Sequence, residues 1–270
     1  MNPFTSKIKY SSYASLGVLF IVIAIFLILK QRPVNLNIQN LYPGTSQHIK
    51  HQLPWQKEFY LKRIKEFKNN PVGYNKIVFL GNSITKGGGD WGQRFNASNI
   101  VNRGISGDYT EGILNRLNEI IFYEPIAVFI LIGVNEFFKD NTNNLEINPT
   151  YVANNIIKIA DKIKNGSPST LVFIQTILPI NNQHYMNIKN VNYNFLLPDF
   201  NPSINIQIEE VNSILINNNK HPVIDLHPLF LNNDDVLEPK FSSDGLHLNK
   251  KGYQIWADRI SPIIMTLNNK

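Results

Sequence analysis

The chain has 270 residues, 43% of them hydrophobic, enough for a sizeable core and most simply for one catalytic domain with appendages. It contains no cysteine, which excludes disulfides, thiolate nucleophiles and cysteine metal sites together. The formal net charge of +6 is unevenly placed: residues 1–75 hold ten Lys+Arg against two Asp+Glu, and residues 76–270 hold sixteen against eighteen. The larger portion is therefore not basic, and a nucleic-acid partner is not indicated.

From Ser11 to Leu29 no charge interrupts the chain. At about 1.5 Å per residue a helix over this run spans roughly 28 Å, close to the hydrocarbon thickness of a bilayer. The sequence thus predicts a short N-terminal segment over 1–10, a single-pass transmembrane anchor over 11–30 and a membrane partnership through that helix. A cleaved signal peptide is the rival reading, but the apolar core is long for one, and Lys30-Gln31-Arg32-Pro33 follows without a small-x-small cleavage site. Lys7 and Lys9 place the N-terminus inside, so the catalytic domain is expected outside the cytoplasm, in the periplasm if the source is bacterial.

Residues 31–52, with Pro43-Gly44 and no clear period, read as a linker. Over 53–75 a basic amphipathic helix and connector are predicted, because Trp55, Phe59, Ile64 and Phe67 recur at near-helical spacing beside Lys57, Lys62, Arg63, Lys65 and Lys68. Contact with a membrane surface and packing onto the domain both remain open for that helix. Residues 76–270 form the predicted catalytic domain. Its strands are expected at 76–80, 100–102, 127–132, 171–175 and 223–225, and its helices include 110–122, 151–164, 204–217 and 252–267. Such alternation favours a parallel sheet covered on both faces, with the site at the carboxyl ends of the strands. The polar stretches 139–148 and 181–201 read as loops placed to select substrate.

Four blocks at predicted element ends carry chemistry. In Gly81-Asn82-Ser83-Ile84-Thr85, after the first strand, Ser83 is either a nucleophile near the start of a helix or simply a helix N-cap. After the second strand Gly104, in Asn102-Arg103-Gly104-Ile105-Ser106-Gly107-Asp108, lets a backbone NH approach a substrate closely. After the third, the Asn135 side-chain amide can donate to an oxyanion. Near the C-terminus, Asp244 and His247 are three residues apart, so the carboxylate can fix the imidazole tautomer and leave its other nitrogen to take the Ser83 proton. A metal reading is disfavoured because no His-Glu-x-x-His or clustered set accompanies the pair. Gly104-Ile105-Ser106-Gly107 is not a Gly-x-Ser-x-Gly elbow, and the glycines of 81–89 lack the Gly-Lys-Ser/Thr of a phosphate-binding loop. His227 beside Asp225 reads as a packing residue, and His184 has no evident partner.

Taken together, the blocks resemble those of the SGNH hydrolases, also called the GDSL esterase/lipase family. Its Ser, Gly, Asn and His, in that chain order, match Ser83, Gly104, Asn135 and His247, and the ending Asp244-Gly245-Leu246-His247 belongs to the same pattern. The branch most similar is that of acetylhydrolases related to platelet-activating-factor acetylhydrolase and to sialate O-acetylesterase. The resemblance implies a three-layer α/β/α sandwich with a five-stranded parallel, flavodoxin-like sheet. It also implies a Ser83–His247–Asp244 triad, an oxyanion hole of the Ser83 and Gly104 NH groups with the Asn135 amide, no cofactor or metal, and a small acyl ester of a sugar or lipid as substrate. An O-acyltransferase using the same triad and an inactive binding module are the alternatives. Two departures are visible: Asn82 and Glu136 stand where the family usually has Asp.

Overall fold

Five short strands, β1 (Ile77–Gly81), β2 (Ile100–Gly104), β3 (Ala127–Leu131), β4 (Leu171–Gln175) and β5 (Val223–Ile224), pair in parallel in the order β2-β1-β3-β4-β5. The molecule is a computed structural model that describes residues 38–269. The predicted span over 11–30 lies outside the described residues; among those described, no helix is long and apolar enough to cross a membrane. β1 and β3 are buried along their whole length, as strands covered on both faces must be, which is why each reads as an unbroken apolar run. Phe79, Phe129 and Phe173 occupy one register line across β1, β3 and β4. Their rings stack at 5.2 and 4.9 Å, and Trp91 extends the stack at 4.3 Å from Phe79.

Helices cover both faces. α1 (Pro54–Asn69) precedes β1; α2 (Ser83–Gly87) and α3 (Trp91–Phe95) follow it; α4 (Thr110–Leu114) and α5 (Leu117–Tyr123) connect β2 to β3. α6 (Val134–Phe137) and α7 (Pro149–Gly166) lie between β3 and β4, α8 (Asn182–Lys189) and α9 (Ile204–Asn217) between β4 and β5, and α10 (Lys250–Asn268) closes the chain. α7 shows how local chemistry sets the bounds. The Asn148 side chain accepts from Tyr151 N, Pro149 stands in the first turn, and Val152, Ile156, Ile159 and Ile163 line the buried face. This is the three-layer α/β fold with a five-stranded parallel sheet that the resemblance implies.

Three local expectations change. The helix read over 110–122 is broken into α4 and α5 because Arg116 leaves helical geometry at φ −124°, and its guanidinium is buried against Asp108 and Gly81 O. The stretch read as linker is packed from Leu41 onward: Leu41, Tyr42 and Ile49 are buried, and Tyr42 Oη donates to Glu119 at 2.8 Å. Residues from Leu41 to the C-terminus form one compact unit. Within it α1 buries Tyr60, Ile64 and Phe67, leaving Trp55 and Phe59 outside the core. The 181–201 stretch, read as a loop, contains α8.

Candidate active site

β1 and β3 are neighbours although β2 separates them in sequence, so the chain reverses its direction of sheet growth between them. The carboxyl ends of these strands meet at that switch point, where α/β sheets open a crevice. The last residue of β1 is Gly81, where a Cβ would overlap Leu131 O and Thr85 Oγ1. Asn82 then caps α2, its Oδ1 accepting from Ile84 N at 2.9 Å. The cap role weighed for Ser83 thus belongs to Asn82, and Ser83 is the first residue of the helix, with its hydroxyl free for another partner.

That partner is His247, whose Nε2 lies 3.0 Å from Ser83 Oγ. Its Nδ1 lies 2.9 Å from Asp244 Oδ2. With Nδ1–H donating to the carboxylate, Nε2 is the acceptor for the serine proton. The turn that holds the pair is tightly fixed. Ser242 Oγ accepts from Gly245 N at 2.7 Å and donates to His247 O at 2.9 Å. Gly245 stands at φ +87°, where a side chain would overlap Asn181 O. Asp244 Oδ1 accepts from Leu246 N and His247 N. Its Oδ2 also accepts from Lys189 of α8 at 2.9 Å. Burial opposes ionisation of Asp244, but the hydrogen bonds from His247 and Lys189 outweigh it and hold the carboxyl well below the usual range. The Asp244 side chain is 6% exposed and the imidazole 35%, so the acid is sheltered while the base reaches solvent.

The oxyanion donors are arranged differently from the sequence expectation. Gly104 N is already spent on Asn102 Oδ1 at 2.9 Å, and Gly104 packs against the Lys86 and Asn82 backbone under α2, away from the cavity. The Gly104 N expected at the oxyanion position therefore does not face the cavity, and the glycine that lines it is Gly107. Pairing persists past β2, since Ile105 N still donates to Gly81 O at 3.1 Å, so the chain turns only afterwards. Gly107 sits in that turn at φ +74° and lines the cavity with Ser83, Asn135 and His247. Among the described residues neither Ser83 N nor Gly107 N has an acceptor. Asn135 Nδ2 uses one hydrogen on Asp108 O at 2.9 Å, which leaves its second.

One buried ion pair ties these donors together. Arg116 donates to Asp108 Oδ2 through Nε at 3.0 Å and Nη2 at 2.9 Å, and to Gly81 O at 3.2 Å. Burial pushes Asp108 up to about 6, with Arg116 opposing. Next to Asn135, Glu136 is buried and accepts from Thr110 N at 2.6 Å; burial pushes it up to about 7 against that hydrogen bond. The other candidates lie elsewhere. Buried His227 is bonded through Nδ1 to Ile177 O at 2.7 Å, and His184 lines a separate groove. Ser106 lines the cavity with Lys86 Nζ 3.4 Å from its hydroxyl. Among the described residues no group of three or more His, Asp or Glu is placed to hold a metal ion. Sequence reasoning missed Lys189, which carries no motif, and Arg116, whose one signal is being the lone cation of the helix predicted over 110–122.

Residues 79–255 match the GDSL-like lipase/acylhydrolase family model. No curated protein matches the chain. Among solved structures it is similar to a GDSL-like lipase from Bacteroides thetaiotaomicron, at 23% identity and a TM-score of 0.58, covering 77% of this chain and 97% of that one. It is likewise similar to the lipase/acylhydrolase from Enterococcus faecalis, at 21% identity and a TM-score of 0.50, covering 71% and 96%. An acetyl xylan esterase is a further relative in shape, at 18% identity and a TM-score of 0.53, covering 70% and 99%. At such identities these likenesses establish the fold, while the family match spans more than half of the chain. The chain belongs to the GDSL-like lipase/acylhydrolase family, the SGNH hydrolases, and is an esterase of that type.

Proposed function

We propose that the protein hydrolyses a carboxylic ester carrying an acetyl or other short acyl group, on a carbohydrate or lysophospholipid alcohol, through an acyl-enzyme on Ser83. The carrying observation is the relay from Ser83 Oγ through both ring nitrogens of His247 to Asp244, at 3.0 and 2.9 Å. His247 Nε2 takes the Ser83 proton as Oγ attacks the carbonyl carbon. The resulting oxyanion accepts from Ser83 N, Gly107 N and the free Asn135 Nδ2 hydrogen. Collapse breaks the C–O bond to the alcohol, which leaves with the proton held on His247. A water then gives its proton to Nε2 and attacks the acyl carbon; collapse breaks the acyl–Oγ bond, His247 returns the proton to Ser83 Oγ, and the acid leaves.

The exposed edge of His247 favours water as the second nucleophile over an alcohol acceptor, so hydrolysis is preferred to acyl transfer. On this reading the 11–30 segment anchors the enzyme in a membrane with its catalytic domain outside the cytoplasm. The full chain should hydrolyse p-nitrophenyl acetate and be labelled by a fluorophosphonate, and Ser83→Ala should abolish both. A folded Ser83→Ala protein retaining full activity rejects the nucleophile. Product rising with an added sugar acceptor, without matching free acid, favours the transferase, and a C-terminal reporter active only in the cytosol rejects the topology.

A further inference from the structure

Part of the cavity wall comes from outside the 79–255 span that matches the family. Trp55 and Phe59 of α1 line the same cavity as Ser83 and His247. They are 51% and 46% exposed, yet they are held in place, edge to face at 6.2 Å. α1 itself is bonded to the segment that carries the oxyanion glycine. Tyr60 Oη donates to Gly112 O at 3.0 Å, and Arg63 Nε donates to Gly104 O at 3.2 Å. The Trp55 ring packs so closely on Gly107 that a Cβ there would lie 2.8 Å from it. The helix thus backs the oxyanion turn with one side of Trp55 and presents the rest of the indole to the cavity.

The other wall is also aromatic. Tyr193 and Phe195 stack at 5.3 Å and 10°, and Phe138 packs edge to face on Phe195 at 5.7 Å. The cavity volume is about 510 Å³, a size that takes a ligand many times larger than an acetyl group. Among the described residues no Asp, Glu, Lys or Arg lines it, and His247 is its one basic side chain. The side chains free to hydrogen-bond a ligand are few beside the aromatic ones: the Ser106, Tyr185 and Tyr193 hydroxyls and Asn135, which already has one hydrogen engaged. The nearest cation, Lys86, stands behind Ser106 with its Nζ 3.4 Å from that hydroxyl.

From this we infer that α1 is a substrate-selecting element of the active site, and that Trp55 and Phe59, opposite Tyr193 and Phe195, receive an uncharged hydrocarbon portion of the ester. This deepens the esterase reading and rests on it for the reacting centre. Contact with the apolar walls buries hydrocarbon without leaving polar groups unpaired, so of the two alcohol classes proposed above the cavity selects the lipid-like one, and alkyl esters are preferred over acetylated sugars.

The test separates binding from chemistry. Trp91 and Trp256 are buried, so Trp55 is the one exposed indole of the chain's three tryptophans. Octyl acetate titrated into the full-length Ser83→Ala protein should give a saturable blue shift in tryptophan emission that is absent in Ser83→Ala/Trp55→Phe, and peracetylated xylose should give none. With the active chain, Phe59→Ala should lower the ratio of kcat/KM for p-nitrophenyl hexanoate over acetate by about tenfold, chiefly through KM. Equal shifts with the acetylated sugar, no saturation with octyl acetate, or a ratio moved by less than about twofold in folded Phe59→Ala would overturn the inference. Failure of Ser83 to take a fluorophosphonate would instead count against the nucleophile, and the titration would still decide what the cavity binds.

Discussion

Asp244→Asn removes one charge while keeping the shape of the side chain, and its cost follows from the bonds that the carboxylate accepts. Oδ1 takes Leu246 N and His247 N; Oδ2 takes His247 Nδ1 and Lys189 Nζ. An amide keeps the Oδ1 bonds, because the two backbone donors require an oxygen there. Its NH2 then occupies the Oδ2 position and faces a lysine ammonium and an imidazole N–H, donor against donor. His247 relieves the conflict by placing its proton on Nε2, the nitrogen that must accept from Ser83. The loss expected for the wrong tautomer in a triad is about 10⁴ in kcat, or roughly 5.5 kcal/mol of barrier at about 1.4 kcal/mol per tenfold. Initial rates on p-nitrophenyl acetate, read beside a thermal melt to establish folding, measure it. Lys189→Ala leaves Asp244 ionised and should stay orders of magnitude more active, with a stability change within about 1 kcal/mol because the lysine is half-exposed. A folded Asp244→Asn enzyme within tenfold of the parent would refute the reasoning.

Asn135→Ala should lower kcat by roughly 10²–10³, the worth of one oxyanion donor, with its melting temperature nearly kept; a loss of less than tenfold in kcat assays rejects Asn135 as a donor. Gly104→Ala should act on stability first, since the new methyl meets the Lys86 and Asn82 backbone, and overpacking of that kind costs about 1–3 kcal/mol in urea unfolding. Full stability with turnover alone reduced would restore Gly104 to the oxyanion hole. Glu136 gives a pH dependence of definite sign. Its folded pKa of about 7 stands above the ordinary 4.5, so between these values the folded state holds more protons and stability falls as pH rises, by up to about 1.4 kcal/mol per pH unit. Glu136→Gln should abolish that fall in melts taken from pH 5 to 8, while Asp108, raised to about 6, keeps its own contribution in both proteins. Parallel curves for parent and variant would show that Glu136 does not titrate there.

What could be read from the chain alone follows from how each feature is encoded. β1 and β3 are legible because full burial demands uninterrupted apolar residues, and Ser83, Asp244 and His247 are legible because spacing and element ends bring their chemistries to one mouth. Gly104 and Gly107 could not be told apart in that way. Both are glycines after β2, and the choice depends on Ile105 continuing to pair with Gly81 before the turn, a long-range bond that leaves no local mark. Arg116 breaks a helix that its neighbours would continue, because its partners lie at Asp108 and Gly81. Near-helical spacing puts Trp55 and Phe59 on one face with Ile64 and Phe67. The helix instead buries Tyr60 with Ile64 and Phe67, and rotation by one position turns the two exposed rings to the cavity.

These misses share a physical origin that bears on how the site works. The cradle has donors from three strand ends, yet none of those ends is held by its own segment alone. Gly81 O and the Asp108 carboxylate are joined by one guanidinium, and Asp108 O receives the Asn135 amide. Trp55 closes the outer side of the same turn. Truncating Arg116 would strand a carboxylate with no exposed side-chain surface, a cost of about 3–5 kcal/mol for a broken buried pair, before any effect on turnover. A buried charge at that position is tolerable only because both its oxygens and the backbone around it are spoken for, and the same bonds fix where Gly107 N and Asn135 Nδ2 point. Stability and oxyanion geometry are therefore coupled through Arg116. Asp244 and His247 are held by a separate turn at 242–247, so mutations in that turn and at Arg116 should combine additively in stability while both act on the same reacting carbon.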